Sequence, residues 1–146
     1  MDRLLLIACS QRKRPDEQLL PALDRYDGPA FRVLRKYLRE TETPAPIVLI
    51  ISAKYGLIAG DRKIPTYDCR MSNQLARTLR PGVLRVARRV LASQPWRAVG
   101  TCAGKEYQAA LDGLSELIPD GARLDEIRGG QGPRLTALRN WLRHLS

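Results

Sequence analysis

Hydrophobic residues occur along this chain in short blocks separated by segments with helical spacing. Leu4 to Ala8 and Ile47 to Ile51 are nearly continuous apolar runs, which predicts strands that are buried on both faces. Trp96 to Cys102 is a third strand candidate, and Ala122 to Ile127 is a weaker fourth. Because these strands alternate with helices, we expect a mainly parallel sheet covered on both sides.

Helical periodicity is clearest after Asp27-Gly28, where Pro29 suits the first turn of a helix. Phe31, Leu34 and Leu38 then recur on one side of that helix. The other predicted helices run from Ser72 to about Leu79, from Pro81 to about Ser93, from Tyr107 to Leu111, and from Pro133 with Leu135, Leu138, Leu142 and Leu145 on one face. The segment before Tyr26 is predicted to be irregular. We therefore expect a single three-layer α/β domain over residues 1–146, Rossmann-like in architecture.

Composition agrees with a globular domain. The chain has 146 residues, of which 44% are hydrophobic and 27% are charged. No apolar run approaches the ~20 residues of a membrane span, and the run from Leu4 to Ala8 is too short for the core of a signal peptide. We expect a cytoplasmic protein that has no membrane partner. The three cysteines are far apart and odd in number, which argues against a disulfide framework.

The net charge is strongly positive, at +10 with a pI near 10.2. Such a balance favours polyanionic partners, nucleic acid foremost. Arginine clearly outnumbers lysine, however, and a genome rich in GC would produce the same bias. Both interpretations of the charge remain open at this point.

Polar residues follow three of the predicted strands directly: Cys9 to Lys13, Ser52 to Gly56, and Cys102 to Lys105. Since parallel strands end at one edge of the sheet, and ligands bind at that edge, these segments should converge on a pocket. Tyrosines nearby could stack on nucleobases or belong to the edge of the core. The substrate-binding candidates are Cys9, Ser10, Lys13, Ser52, Lys54, Tyr55, Gly56, Gly104, Tyr107 and Gly130.

Thiol catalysis and metal binding are not favoured. Basic neighbours could activate Cys9, but no base accompanies it, because the only histidine, His144, lies near the C-terminus on the exposed side of a predicted helix. A small buried residue is the preferred interpretation of Cys9. The cysteines and His144 offer no paired spacing for zinc. The segment from Gly129 to Pro133 is either a phosphate site at the start of a helix or a plain loop. It matches neither a P-loop nor a dinucleotide-binding motif, and we expect no cofactor.

Asp68 is the strongest acid–base candidate, and Tyr67 and Arg70 beside it complete the catalytic candidates. A carboxylate here could orient a water molecule or accept hydrogen bonds from a base or sugar. Equally, Asp68 could form an ion pair with Arg70 or Lys54 and serve only the architecture.

The motifs from Ala8 to Lys13, Ser52 to Ile58 and Ile64 to Met71 resemble those of a widespread uncharacterised bacterial and phage family. That family is distantly similar to the peroxide-stress protein family YaaA and to the uracil-DNA-glycosylase-like domain of archaeosine synthase. The resemblance implies a nucleic-acid or nucleobase context. The leading hypothesis is a protein that acts on a nucleobase, nucleoside, nucleotide or nucleic acid, and the reaction considered for it is cleavage or exchange of an N-glycosidic bond.

The alternative is a noncatalytic DNA- or RNA-binding protein in stress response or phage defence. Its binding surfaces would be the arginine-rich faces of the predicted helices near Arg35 and Arg88. The sequence does not indicate an oligomeric state.

Overall fold

A computed structural model describes residues 2–41 and 44–144. Its strands are β1 (Asp2–Ala8), β2 (Leu20–Pro21), β3 (Ile47–Ser52), β4 (Gly56–Ala59), β5 (Lys63–Ile64), β6 (Trp96–Cys102) and β7 (Arg123–Ile127). Five of them form the central sheet in the order β4-β3-β1-β6-β7, and β2 pairs with β5 in a small second sheet. In the central sheet, the pairs β3–β1, β1–β6 and β6–β7 are parallel and the pair β3–β4 is antiparallel. The prediction of an α/β domain with a mainly parallel sheet is confirmed.

The helices are α1 (Ala22–Arg25), α2 (Pro29–Glu40), α3 (Asn73–Leu91), α4 (Gln108–Leu111) and α5 (Gln131–Arg143), with 3-10 turns at Lys105–Tyr107 and Leu114–Leu117. α2 connects β1 to β3 on one side of β1, whereas α3 lies in the connection from β4 to β6 on its other side. Both connections are expected to be right-handed, but one moves across the sheet from β1 toward β3 and the other moves back toward β6, so their helices lie on opposite faces of the sheet. Accordingly, α2 packs against α5, and α3 packs against α4. In the described part of the chain, no helix combines the length and apolarity needed to cross a bilayer.

The core lies on both faces of the central strands. Leu4, Leu5 and Leu6 are fully buried one after another in β1, as expected for a strand covered on both sides. Ile50 and Ile51 continue this pattern in β3. The apolar runs in the sequence therefore correctly predict the strands in the middle of the sheet.

Two helix boundaries differ from the prediction. Pro81 was expected to start a helix, but α3 runs continuously from Asn73 to Leu91 with Pro81 inside it. Proline removes one backbone donor and crowds the preceding turn. The helix persists because a single buried stripe, which includes Ala76 and Val83, packs on both sides of that position. Ser72 caps α3 as predicted, since its hydroxyl accepts a hydrogen bond from the Leu75 amide at 3.1 Å.

The last helix begins at Gln131, two positions before the predicted start at Pro133. Gly130 is its N-cap residue, and proline is tolerated in the first turn because no intrahelical partner is needed there. Leu138 and Leu142 are buried as predicted, whereas Leu145 lies outside the described residues.

The segment before Tyr26 is more ordered than predicted, because a buried arginine organises it. Arg25 has no exposed surface. Its guanidinium donates hydrogen bonds to the carbonyls of Arg14, Asp16, Gln18 and Ile64 at 2.6–3.3 Å. These bonds tie the loop after β1 to the short β2–β5 sheet.

Candidate functional site

The turn between β3 and β4 is held by the Ser52 hydroxyl. Ser52 is fully buried, and its Oγ accepts hydrogen bonds from the amides of Lys54 at 3.1 Å and Tyr55 at 3.0 Å. Gly56 completes the turn with φ of 75°, a left-handed conformation that glycine adopts without the Cβ penalty. The strand β4, which the sequence did not predict, follows from this reversal.

Ser52 also closes a ring of three hydroxyl groups. Tyr26 donates to Ser52 Oγ at 3.2 Å, Ser52 Oγ lies 3.0 Å from the Tyr67 hydroxyl, and the two tyrosine oxygens are 2.5 Å apart. If Ser52 donates to Tyr67 and Tyr67 donates to Tyr26, every hydroxyl proton is used once. Burial raises the pKa of Tyr26 to about 12, and it raises the pKa of Tyr67 as well. Both phenols are therefore held in the neutral form.

Two lysines flank these aromatic rings. Lys13 Nζ lies 4.4 Å from the centroid of the Tyr67 ring, and Lys54 Nζ lies 5.5 Å from it on the exposed side of the turn. The Tyr55 ring meets Tyr67 edge-on at 5.6 Å. Burial lowers the pKa of Lys13, although the nearby Cys9, Asp68 and Cys69 oppose that shift. We call Lys13, Tyr26, Ser52, Tyr55 and Tyr67 the tyrosine cluster.

A separate cavity of about 480 Å³ opens beside this cluster, at the carboxyl ends of β1 and β6. The chain leaves β1 toward β3 on one side and reaches β6 on the other, so the cavity lies at the point where the strand order reverses. Open α/β sheets bind their ligands at such a point. We call it the switch-point cavity. Its walls come from 7–11, 28–31, 69–71, 102–107, 131, 134 and 135, leaving out Lys105.

The first turns of α2 and α5 both border the switch-point cavity. Gly28 permits the close approach of α2 to the end of β1, because a Cβ at this position would lie 2.7 Å from Ser10 Cβ. The Gly28 amide instead donates to Ser10 Oγ at 3.1 Å. Since helix N-termini present free amide groups and a positive partial charge, this wall favours an anion.

Two arginines strengthen that preference. Arg70 and Arg134 both line the cavity, and neither side chain forms a hydrogen bond or ion pair with another described residue. Glu106 is the one carboxylate among the lining residues. The cavity therefore has an excess of positive charge, with two guanidinium groups free to bind a carboxylate or phosphate.

Cys9 and Tyr107 lie side by side in the wall of the cavity. The Tyr107 hydroxyl donates to the Cys9 carbonyl at 3.0 Å, and Cys9 Sγ lies 3.1 Å from the same hydroxyl. Cys9 is 8% exposed, in agreement with its interpretation as a small buried residue. Burial raises the pKa of Cys102 to about 11, although Arg134 opposes the shift. The Cys102 thiol is therefore protonated at neutral pH.

Asp68 lies beside the cavity but is not one of the residues that line it. It is exposed and accepts one hydrogen bond, at 3.4 Å, from Gln11, which itself lines the cavity. No ion pair joins it to Arg70 or Lys54 among residues 2–41 and 44–144. The ion pairs considered for Asp68 in the sequence analysis are thus not formed.

The structure divides the thirteen predicted site residues into groups. Cys9, Ser10, Arg70, Gly104 and Tyr107 line the switch-point cavity. The adjacent tyrosine cluster contains four of them, Lys13, Ser52, Tyr55 and Tyr67, and its turn contains Lys54 and Gly56. Asp68 lies beside the cavity, and Gly130 is the N-cap residue of α5. All three polar segments reach the same edge of the sheet, but the segment from Ser52 to Gly56 does not line the cavity.

Sequence reasoning missed Arg134, Glu106 and the first turn of α2. A usable signal existed for the helices, because a helix that follows a parallel strand begins at the edge where that strand ends. Applying this rule to α5 would have placed the residues after the glycine-rich turn, including Arg134, beside Ser10. Within the described ranges, no group of three or more histidine, cysteine or acidic residues is arranged to hold a metal ion.

Comparison with known proteins identifies a family. The model of the family of unknown function DUF6884 matches residues 4–138, so the chain belongs to this family. No curated protein matches the chain. The crystal structure of AF0587, a protein of unknown function, is similar with a TM-score of 0.60 and 14% sequence identity. The match covers 99% of this chain but 46% of AF0587, and at this identity it reports the fold alone.

Proposed function

We propose that this member of the family binds a nucleoside or nucleotide unit, free or within a nucleic acid, in the switch-point cavity and cleaves or exchanges its N-glycosidic bond. The observation that carries the proposal is the cavity itself, which lies at the strand-order reversal. It is bordered by two helix N-termini and by two arginines that form no ion pair with a described residue. A volume of about 480 Å³ is within the range of small-molecule sites. The resemblance of the motifs to YaaA and archaeosine synthase supports a nucleobase context.

The charge distribution suits the phosphate end of such a ligand. Arg70 and Arg134 would hold phosphate oxygens, together with the first-turn amides of Ala30 in α2 and Gln131 in α5. Phe31, Met71 and Leu135 add apolar surface to the same cavity, against which a base or sugar can pack.

Cleavage of an N-glycosidic bond builds positive charge on the sugar, as in glycoside hydrolysis, so a nearby carboxylate lowers the barrier. Asp68, which lies beside the cavity, would stabilise this oxocarbenium-like sugar or activate the attacking water. Gln11 connects Asp68 to the cavity wall and would orient the carboxylate.

Calorimetry with a panel of nucleoside monophosphates and matching nucleosides tests the binding step. We expect monophosphates to bind more tightly than nucleosides, and Arg134→Gln to weaken the monophosphate by about tenfold or more, the worth of a charge-assisted hydrogen bond. Arg128→Gln serves as a matched control, because Arg128 precedes α5 but does not line the cavity. Equal affinity of Arg134→Gln and the parent protein would remove the proposed phosphate site.

Base release tests the chemical step. Chromatography of a nucleoside and oligonucleotide panel should detect free base with the parent protein and with Asp61→Asn, an exposed aspartate at the end of β4. Asp68→Asn should abolish the release while ligand binding persists. Loss of activity in Glu106→Gln but not in Asp68→Asn would assign the carboxylate role to Glu106. No release from any member of the panel would contradict the catalytic proposal.

The net charge of +10 favours a second candidate, a noncatalytic nucleic-acid-binding protein. Under this alternative, binding depends strongly on salt, no base is released, and Asp68→Asn leaves affinity unchanged or improves it. Arg35 is unsuited to such a role, because its guanidinium already bonds the carbonyls of Leu23 and Tyr26 and the carboxylate of Asp27.

A further inference from the structure

A second cavity, of about 390 Å³, lies in the groove between α2 and α5. We call it the α2–α5 groove. Arg32, Val33, Lys36, Tyr37, Glu40 and Thr41 line it from the α2 side, and Arg139, Leu142 and Arg143 line it from α5. Four of these nine residues are cationic, whereas Glu40 is the only acidic one.

Among the described residues, an ion pair neutralises one of the four cations that line the groove. Arg32 pairs with Asp27 at 3.2 Å. In contrast, Lys36, Arg139 and Arg143 are exposed, and none forms an ion pair with a carboxylate among the described residues. Three solvated cations along one groove that also presents an aromatic ring, Tyr37, are the features that recognise a nucleic-acid backbone.

Along both helices, the residues that line the groove follow those that line the switch-point cavity. α2 contributes Gly28 to Phe31 to the cavity and the residues from Arg32 onward to the groove, and α5 is divided in the same way between Leu135 and Arg139. Both helices start at the cavity, so the groove leads away from it along their axes. From Phe31 to Glu40 the helix rises about 14 Å, which matches about four nucleotides of a strand at ~3.4 Å each.

We propose that the α2–α5 groove binds the phosphodiester backbone of a single nucleic-acid strand, one nucleotide of which occupies the switch-point cavity. This inference rests on the proposed function and narrows its ligand from a free nucleoside to a unit within a strand. The groove is a cavity of about 390 Å³ between two helices in contact, and a single strand, which can follow a cationic groove and stack its bases on an aromatic ring, is the occupant we choose.

Fluorescence anisotropy with a labelled 12-nucleotide single strand tests the inference at several salt concentrations. The triple variant Lys36→Gln/Arg139→Gln/Arg143→Gln removes three charges from the groove. We expect its affinity to fall about tenfold or more, and its salt dependence to weaken by about two units of slope, since each phosphate contact on a single strand contributes ~0.7.

The matched control removes three charges from the opposite face of the sheet. Arg85, Arg88 and Arg89 are exposed on α3, so Arg85→Gln/Arg88→Gln/Arg89→Gln has the same net charge as the groove variant. We expect this control to weaken strand binding by less than about threefold, the part due to general attraction. Thermal unfolding of both variants checks that the fold is retained. The affinities for a DNA strand and an RNA strand are compared, and the tighter of the two shows whether the site prefers deoxyribose or ribose.

Equal losses in the two triple variants, a larger loss in the α3 variant, or tighter binding of a duplex would overturn the inference. Measuring the binding of nucleoside monophosphates distinguishes failure of the groove inference from failure of the proposed function. If the monophosphate binds and the groove variant retains full strand affinity, the groove inference fails while the cavity proposal stands. If no monophosphate binds but the groove variant alone loses strand affinity, the groove binds a strand by itself, and the placement of one nucleotide in the cavity is overturned together with the proposed function.

Discussion

The tyrosine cluster and the switch-point cavity lie side by side at one edge of the sheet, yet they treat polar groups in opposite ways. In the tyrosine cluster, Ser52 bonds two amides and two tyrosine hydroxyls, so the protein satisfies its own polar atoms. In the cavity, Arg70 and Arg134 form no hydrogen bond or ion pair with a residue of 2–41 or 44–144, and both line its wall. Both regions follow buried parallel strands and look alike in sequence.

This difference distinguishes residues that stabilise the fold from residues that can bind a ligand. A buried hydroxyl whose bonds are complete stabilises the fold and has nothing left for a ligand. An unpaired guanidinium beside a helix N-terminus costs little while it is solvated and gains bonds when an anion arrives. We therefore expect substitutions in the tyrosine cluster to change stability first, and substitutions in the cavity to change ligand affinity first.

The largest effect is expected for Ser52→Ala. It removes the shared partner of the Tyr26 and Tyr67 hydroxyls and of two turn amides, and each buried group left unsatisfied costs 1–3 kcal/mol, so the free energy of unfolding should fall by about 3 kcal/mol. Ser10→Ala is the matched substitution at the end of the neighbouring strand. Ser10 is only half-buried, so the expected loss is about 1 kcal/mol.

Urea unfolding measures both serine variants, and monophosphate binding is followed at a temperature where each is folded. The Ser52 variant should retain the ligand affinity of the parent protein. A Ser52 variant that unfolds like the parent but loses ligand would show that Ser52 contacts the ligand, and the two regions would then have to be treated as one site.

The sequence predicted the fold because strand burial leaves a strong local signal. The apolar runs at Leu4 to Ala8 and Ile47 to Ile51 identify parallel strands without knowledge of their neighbours. The β3–β4 reversal was not predicted, because it depends on Ser52 bonding the turn amides and on the positive φ of Gly56. Neither feature changes the hydrophobic pattern.

The site was predicted less completely, for a physical reason. The convergence of Ser10 and Gly104 at the cavity follows from topology alone. Whether a polar residue is already satisfied depends on distant partners, and Tyr26 meets Ser52 and Tyr67 only after the sheet has formed. Composition near a strand end therefore identified the edge, while the division between structural and ligand-facing groups required the structure.

The second-largest effect is expected at alkaline pH, where the folded protein should lose stability because the phenols of the tyrosine cluster are held neutral. The pKa of Tyr26 is about 12 in the folded protein against 10.0 when unperturbed. Its contribution is fully present below pH 10 and is lost as the pH rises toward 12, by about 2.7 kcal/mol for two pH units. Tyr67 acts in the same direction. Lys13 acts oppositely, since its lowered pKa makes stability rise with pH until about 10.5.

Denaturant titrations at pH 9 to 12 measure this loss. Tyr26→Phe should be less stable at neutral pH but should show a flatter decline above pH 10.5, where Lys13 no longer contributes. Tyr55→Phe is the control, because Tyr55 contacts the ring of Tyr67 without joining the three-hydroxyl ring. Identical alkaline slopes for Tyr26→Phe and the parent protein would mean that the buried hydroxyl ring is not the source of the alkaline instability.

The smallest effect compares two glycines that the sequence assigned to substrate binding. Gly56 has φ of 75° and open space around its Cβ position, so Gly56→Ala meets only the backbone penalty. That penalty for a left-handed alanine is about 1 kcal/mol. Gly130 has φ of −63° with equally open space, and Gly130→Ala should change stability by less than about 0.5 kcal/mol. Urea unfolding compares the two. Because Gly56 belongs to the turn and not to the cavity wall, its variant should bind the monophosphate as the parent protein does; weaker binding at unchanged stability would instead assign Gly56 to the ligand and bring the tyrosine cluster into the site.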